Sequence, residues 1–149
     1  MTELTEVLRL KNARLLYRLQ SVQGNIVVAV RSRPMTSGEL ANGGKQAVQV
    51  VGDDELLCQD KRSEEWRSFR FDKVWDEHAT QADVSADLEP LALSVCDGEN
   101  ASIIAYGQTG SGKTFSMMGI PGGADAGLIP RICRTIFHFV EMAADEYDH

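Results

Sequence analysis

Residues 101–114, ASIIAYGQTGSGKT, decide the fold of this chain. Residues 101–106 form an apolar run and predict a buried strand. Residues 107–114 match the pattern G-x-x-x-x-G-K-[ST], and a helix is predicted to begin at their end. A strand, a glycine-bearing turn and a helix in this order provide the context in which such a turn binds phosphate groups.

Each fixed position of the turn has a chemical reason. Glycines let the backbone curl so that successive N–H groups face phosphate oxygens. Lys113 is the cation expected at the β and γ phosphates, and Thr114 offers a hydroxyl to magnesium. The alternative is a glycine-rich turn with an accidental lysine. The predicted nucleotide-binding residues in this turn are Gly107, Gln108, Thr109, Gly110, Ser111, Gly112, Lys113 and Thr114.

The residues after the turn predict two helical segments. The first begins at the turn and is interrupted by a flexible stretch at 121–127. The second carries Pro130 in its first turn and an amphipathic apolar pattern. The residues of that pattern are Ile129, Ile132, Cys133, Ile136, Phe137 and Val140.

Upstream, residues 80–96 predict a helix in which Thr80 and Asp83 form a capping box. Its apolar face contains Val84, Leu88, Leu91 and Val95. Pro90 predicts a kink there or a later helix start, and residues 97–100 close the helix. Before it, residues 47–51, 55–58 and 68–71 predict a small β-meander with turns at 52–53 and 60–61.

The start of the chain predicts a helix over residues 1–22, ended by Gly24. Leu8, Leu15 and Val22 repeat every seven residues, with Asn12 at a companion position, so the helix either forms a coiled-coil dimer or packs on its own domain. Residues 26–30 predict a buried strand, and residues 35–45 predict a loop.

Composition restricts the class of protein. The 149 residues are 43% hydrophobic with a net charge of −7, and this hydrophobic fraction is typical of about one globular domain. Residues 1–34 hold six of the cations against two acids, so the rest is strongly acidic and argues against nucleic-acid binding. The basic start either faces an acidic partner or is a solvated surface. No run is long enough to cross a membrane, and the acidic start MTELTE lacks the profile of a signal peptide, so we expect a soluble intracellular protein.

Cysteine and histidine residues show no ligand spacing, so the chain predicts no metal site of its own. The three dispersed cysteines are expected to be small buried hydrophobes. They are Cys58, Cys96 and Cys133.

The segment 103–119, IIAYGQTGSGKTFSMMG, resembles the P-loop of kinesin motor domains. Four more segments resemble that family in the same order: GNIVVAVRSRP at 24–34, FRFDKVW at 69–75, DGEN at 97–100 and GLIPR at 127–131. Ser32 and Glu99 depart from the family pattern. The helix before residue 24 is similar to the neck of minus-end-directed kinesins with a C-terminal motor.

This resemblance implies an α/β P-loop NTPase of kinesin-motor type, incomplete, with only the first strands, the P-loop strand and flanking helices. Residues 1–23 would be a neck-like helix and residues 24–149 the N-terminal part of the motor domain. Arg31, Arg33 and Pro34 would flank the adenine of ATP, and Phe115 would pack against the base. Guanidinium planes and aromatic rings stack on purines, which agrees with these positions.

The family's switch segments, roughly S-S-R-S-H and D-L-A-G-S-E, are not among the 149 residues. The resemblance therefore implies no catalytic residue within this chain, although the parent protein would hydrolyse ATP with magnesium and move on microtubules in the cytoplasm. Microtubules would bind to the part of the motor outside this sequence, and residues 1–23 could form a homodimer.

Two other functions fit the residues less well. One is a non-catalytic nucleotide-binding or dimerisation module that keeps the P-loop as a relic. The other is a small nucleotide kinase, which is disfavoured because about a hundred residues precede the turn here, whereas such enzymes carry it near the N-terminus.

Overall fold

The computed structural model describes residues 26–147, together with Asn12 and Leu15. The described residues divide into two units, residues 26–79 and residues 80–147. Asn12 and Leu15 are helical, as predicted, and Leu15 is exposed. The rest of the predicted first helix, Gly24 and the boundary after residue 23 lie outside the described residues.

The unit 26–79 begins with a two-stranded parallel sheet. Strand β1 (Ala29–Arg31) pairs with strand β5 (Lys73–Trp75), with Val30 opposite Val74. The prediction of a buried strand at 26–30 is wrong in its start and its burial, because Ile26 is 82% exposed. The Val28 N–H donates to the side-chain carboxylate of Asp72 at 2.7 Å, and the Val28 carbonyl accepts from the Asp72 N–H at 3.0 Å.

The predicted meander is confirmed. Strands β2 (Val48–Val50), β3 (Glu55–Gln59) and β4 (Trp66–Arg70) form an antiparallel sheet in the order β2-β3-β4. Leu56 on the middle strand is 4% exposed and is opposite both Val50 and Phe69. The sequence located these strands to within two residues, but it did not predict β5.

The predicted loop at 35–45 is partly wrong, because it contains the short helix α1 (Ser37–Ala41). Thr36 is its N-cap and Glu39 completes a capping box: Glu39 N–H donates to Thr36 Oγ1, and Thr36 N–H donates to Glu39 Oε2. The pattern T-x-x-E at 36–39 is a helix-start signal, whereas the nearby glycines suggested a loop.

In the unit 80–147, helix α2 (Gln81–Cys96) begins where the sequence predicted. The capping box of Thr80 and Asp83 is confirmed. The helix continues through Pro90, so the alternative of a later start is wrong. At its end Gly98 adopts a φ of +90°, and Gly98 and Glu99 donate to Val95 O and Ser94 O. This pattern is the Schellman motif that closes many helices.

Residues 101–106 are not a strand, and the prediction of a buried strand there is wrong. Ile104 is 86% exposed and Tyr106 is 99% exposed. A strand exists only where a neighbouring strand accepts and donates its backbone hydrogen bonds. Within residues 80–147 no segment supplies that pairing, so the apolar run stays irregular.

Two further helices follow, as predicted: α3 (Lys113–Met117) and α4 (Leu128–Tyr147). Helix α4 packs on α2, where Leu93 is fully buried and Val84 is 2% exposed. Only part of the apolar face of α4 is covered, because Phe137 is 67% exposed and Val140 is 57% exposed. On α2 the predicted face is partly wrong, since Val95 is exposed and Leu93 replaces it in the core.

The predicted burial of the cysteines is wrong for two of the three. Cys96 and Cys133 are exposed, whereas Cys58 is half-buried, and no disulfide joins them. Among the residues that the structure describes, no helix has the length and apolar character that a membrane span requires.

Candidate functional site

The glycine-bearing turn at 107–112 is bent in the way that its glycines permit. Gly107 has a φ of +152°, and a Cβ added there would lie 2.6 Å from Ser111 Oγ. Gly112 has a φ of +94° and is the N-cap of α3. Other residues rarely adopt these angles, so the loop requires glycine at both positions. The Ser111 N–H donates to Gln108 O at 3.2 Å and closes the turn.

The loop presents a set of unpaired backbone donors. Within residues 80–147, the N–H groups of Gly110, Gly112, Lys113 and Thr114 donate to no protein acceptor. The first N–H groups of a helix carry a partial positive charge and have no intrahelical partner. These four donors therefore suit an anionic ligand with several oxygens.

Lys113 bridges the loop. Its Nζ donates to Gly107 O at 2.8 Å and to Gln108 O at 2.7 Å. The ammonium group is thus held over the loop by neutral carbonyl groups, at the position where the sequence predicted a phosphate-binding cation. Residues 107–114 contain no other charged side chain.

Two hydroxyl groups complete the loop. Ser111 Oγ is buried and has no hydrogen-bond partner within residues 80–147. A buried hydroxyl without a partner is unfavourable by about 1–3 kcal/mol, so a bound ligand that accepted from it would gain stability. Thr114 is exposed in the first turn of α3. In the described part of the chain, no cluster of His, Cys, Asp and Glu is arranged to hold a metal ion.

Sequence reasoning did not identify Gln81 as part of this region. Its side chain is 2% exposed, and its Nε2 donates to the carbonyl oxygen of Phe115 at 2.6 Å. Phe115 follows Thr114 on α3, and it is 41% exposed. Gln81 directly follows the capping residue Thr80, but no sequence signal connects it to a residue 34 positions later.

The three residues predicted to flank adenine lie in the other unit, at the end of β1. Arg31 Nη2 donates to Ala79 O at 2.9 Å, and burial lowers the pKa of this guanidinium. Pro34 is exposed, and its carbonyl accepts from Arg33 Nη1. That these residues bind adenine stays a prediction.

Arg33 forms a bidentate ion pair with Glu39, at 2.8 and 2.6 Å. The hydrogen bonds from Arg33, followed by those from Thr36, lower the pKa of Glu39 from 4.5 to about 2. Two parallel hydrogen bonds fix the plane of a guanidinium group. Glu39 therefore orients Arg33, a role that the sequence analysis missed together with helix α1.

Comparisons with known proteins identify the family of the chain. The kinesin motor domain family matches residues 31–148. The kinesin-like protein KIN-14C of rice is 42% identical over 75% of this chain and 12% of its own length. The kinesin-like protein KIN-14O of Arabidopsis thaliana is 43% identical over 77% of this chain and 10% of its own length. The chain thus spans about a tenth of the length of these curated relatives.

The fold agrees with a solved kinesin. The structure of a fast kinesin matches with a TM-score of 0.70 and 34% identity, over 76% of this chain and 32% of that chain. The fold is therefore an incomplete α/β P-loop NTPase of kinesin-motor type, as the sequence predicted. Its family match, its KIN-14 relatives and its structural similarity together show that this chain belongs to the kinesin motor domain family.

Proposed function

We propose that residues 107–114 bind the triphosphate of ATP, and that this chain is the nucleotide-binding part of an ATP-driven microtubule motor. The observation that carries the proposal is the loop itself: four N–H donors and one buried hydroxyl that have no partner within residues 80–147, together with one ammonium group, surround a single turn. Every one of these groups is a donor, which is the arrangement that phosphate oxygens require.

Magnesium fits this loop only together with the nucleotide. Mg²⁺ is commonly held by one or two protein oxygens plus substrate phosphates and water. The hydroxyl of Thr114 is the group that would meet it. When bound, the ion would neutralise phosphate charge, while Lys113 and the backbone donors would position the phosphates.

A titration with a fluorescent ATP analogue tests the proposal. The wild-type chain should bind the magnesium complex, and inorganic tripolyphosphate should compete with it. Lys113→Ala should weaken binding about tenfold or more, because a charge-assisted hydrogen bond is worth about 1.5–3 kcal/mol. Lys61→Ala, which removes the same charge from a turn of the unit 26–79, is the matched control. Unchanged binding in Lys113→Ala would contradict the proposal.

The motor activity belongs to the longer protein. The 149 residues lack both switch segments of the family, so we expect this chain to release phosphate at background rate even with microtubules present. A full-length protein with these residues should show microtubule-stimulated ATP hydrolysis and associate with the cytoplasmic cytoskeleton. Stimulated turnover by the 149-residue chain would refute the first expectation.

Dimerisation through residues 1–23 is a separate proposal. Leu15, on the predicted heptad seam, is helical and 59% exposed, which leaves it available to a partner helix. Sedimentation equilibrium should find a dimer for residues 1–149 and a monomer for residues 24–149. A monomer in both cases would favour packing of this helix on its own domain.

A further inference from the structure

Gln81 connects the start of α2 to the helix that follows the P-loop. It is the first residue of α2 and is almost completely buried. A buried primary amide is unfavourable unless its donors are bonded. Its Nε2 lies 2.6 Å from Phe115 O, with a longer contact of 3.5 Å to Asp125 O. The side chain is therefore tied to α3 rather than to solvent.

The carbonyl that Gln81 binds belongs to the last turn of α3. Carbonyl groups at the end of a helix lack the intrahelical donor that earlier ones have. The N–H groups of Met118 and Gly119 both donate to Thr114 O, at 2.8 and 3.4 Å, and the Phe115 carbonyl accepts from Gln81 instead. Gln81 thus acts as a C-terminal cap supplied by another helix.

Lys113 and Thr114 are adjacent but are held by different contacts. Lys113 Nζ is fixed by two carbonyl groups of the loop, Gly107 O and Gln108 O. Thr114 accepts through its carbonyl from the N–H groups at the end of α3, and so its position follows that helix. Both residues belong to α3, but only the Lys113 ammonium group is also anchored to the loop, so a shift of α3 would move the Thr114 hydroxyl more than that ammonium group.

We propose that Gln81 is a positioning residue for nucleotide binding: it holds α3 so that Thr114 faces the magnesium ion of the bound nucleotide. The proposal rests on the proposed function of the loop. It assigns to Gln81 a specific effect, on the part of the affinity that depends on magnesium. The N–H groups of Gly110 and Gly112, which precede α3, and the Lys113 ammonium group, which the loop carbonyls hold, depend on it much less.

The test compares Gln81→Met with Ser94→Ala. Methionine is similar in length to glutamine but cannot donate a hydrogen bond. Ser94 is the other buried polar side chain of α2, and its Oγ donates within the helix to Leu91 O at 2.8 Å. The affinity of each chain for a fluorescent ATP analogue is measured with magnesium and again with excess chelator.

With magnesium, Gln81→Met should bind about tenfold more weakly than the wild type, because one buried hydrogen bond to α3 is lost. With chelator, the affinities of Gln81→Met and the wild type should agree within about twofold. Ser94→Ala should match the wild type in both conditions. If Gln81→Met lost the same affinity with and without magnesium, the role of Gln81 would be merely structural, and the inference would be overturned.

Hydrogen–deuterium exchange and a second variant of Gln81 provide two further tests. Hydrogen–deuterium exchange should become faster at residues 113–119 in Gln81→Met while α4 stays protected; faster exchange throughout would overturn the inference. If that variant does not fold, Gln81→Asn, whose amide is one methylene too short for Phe115 O, should show the same loss. A wild-type chain that binds no ATP refutes the proposed function as well, whereas an unaltered magnesium dependence in Gln81→Met refutes only the role of Gln81.

Discussion

Replacing Gly119 by alanine should destabilise the unit 80–147 far more than the same change at Gly122. Both glycines have a positive φ, +65° and +84°, so both variants carry a backbone penalty of about 1–2 kcal/mol. At Gly119 the new Cβ would lie 2.0 Å from Asp125 O and 2.3 Å from Gly127 N. At Gly122 it would meet nothing within 4 Å. Overpacking against rigid backbone adds about 1–3 kcal/mol.

We therefore expect about 1–2 kcal/mol of destabilisation for Gly122→Ala and about 2–5 kcal/mol for Gly119→Ala. Urea unfolding followed by far-UV circular dichroism measures both, because α2 and α4, the two longest helices of the described residues, belong to this unit. Tryptophan fluorescence is unsuitable, since Trp66 and Trp75 both lie in the other unit. If the free energies of unfolding of the two variants agree within about 0.5 kcal/mol, residues 119 and 125–127 are not packed as described.

Three other predictions concern stability. Thr80→Ala should destabilise the chain by about 1 kcal/mol in urea unfolding, since it removes an N-cap. The depressed pKa of Glu39 means that its ion pair stabilises the folded chain above pH 4.5 and that this contribution disappears as the pH falls to about 2. Urea unfolding followed by tryptophan fluorescence should show this loss of stability in acid for the wild type and a smaller loss for Glu39→Gln. Leu93→Ala should cost about 2–5 kcal/mol, whereas Ile104→Ser should change stability by less than about 0.5 kcal/mol, because Leu93 is fully buried and Ile104 is 86% exposed. Equal effects of these last two would contradict the described packing.

Local signals in the sequence predicted local structure well. The capping box at Thr80, the meander and the helix beginning near Pro130 all depend on residues a few positions apart. The bend of the turn at 107–112 was also predictable, because its pattern encodes backbone angles that glycine alone adopts readily. The ammonium group of Lys113 lies on this turn, and its binding of phosphate stays a prediction.

Predictions that needed a distant partner were less successful. The apolar run at 101–106 has the composition of a strand, but composition does not supply a neighbour with which to pair. Gln81 and β5 were missed because their partners lie 34 and about 44 positions away. Helix α1 is different: its T-x-x-E signal was present, and the surrounding glycines concealed it.

The contacts of Lys113 have a consequence for selectivity among anions. Its ammonium group donates to two uncharged carbonyl oxygens. When an anion binds, the ammonium group exchanges these dipoles for a full negative charge, and no ion pair has to be broken. The affinity of the chain should therefore rise with the number of negative charges on the nucleotide, in the order AMP, ADP, ATP. These affinities should fall as added potassium chloride screens the attraction. A nucleoside without phosphates would leave the lysine on its two carbonyl groups.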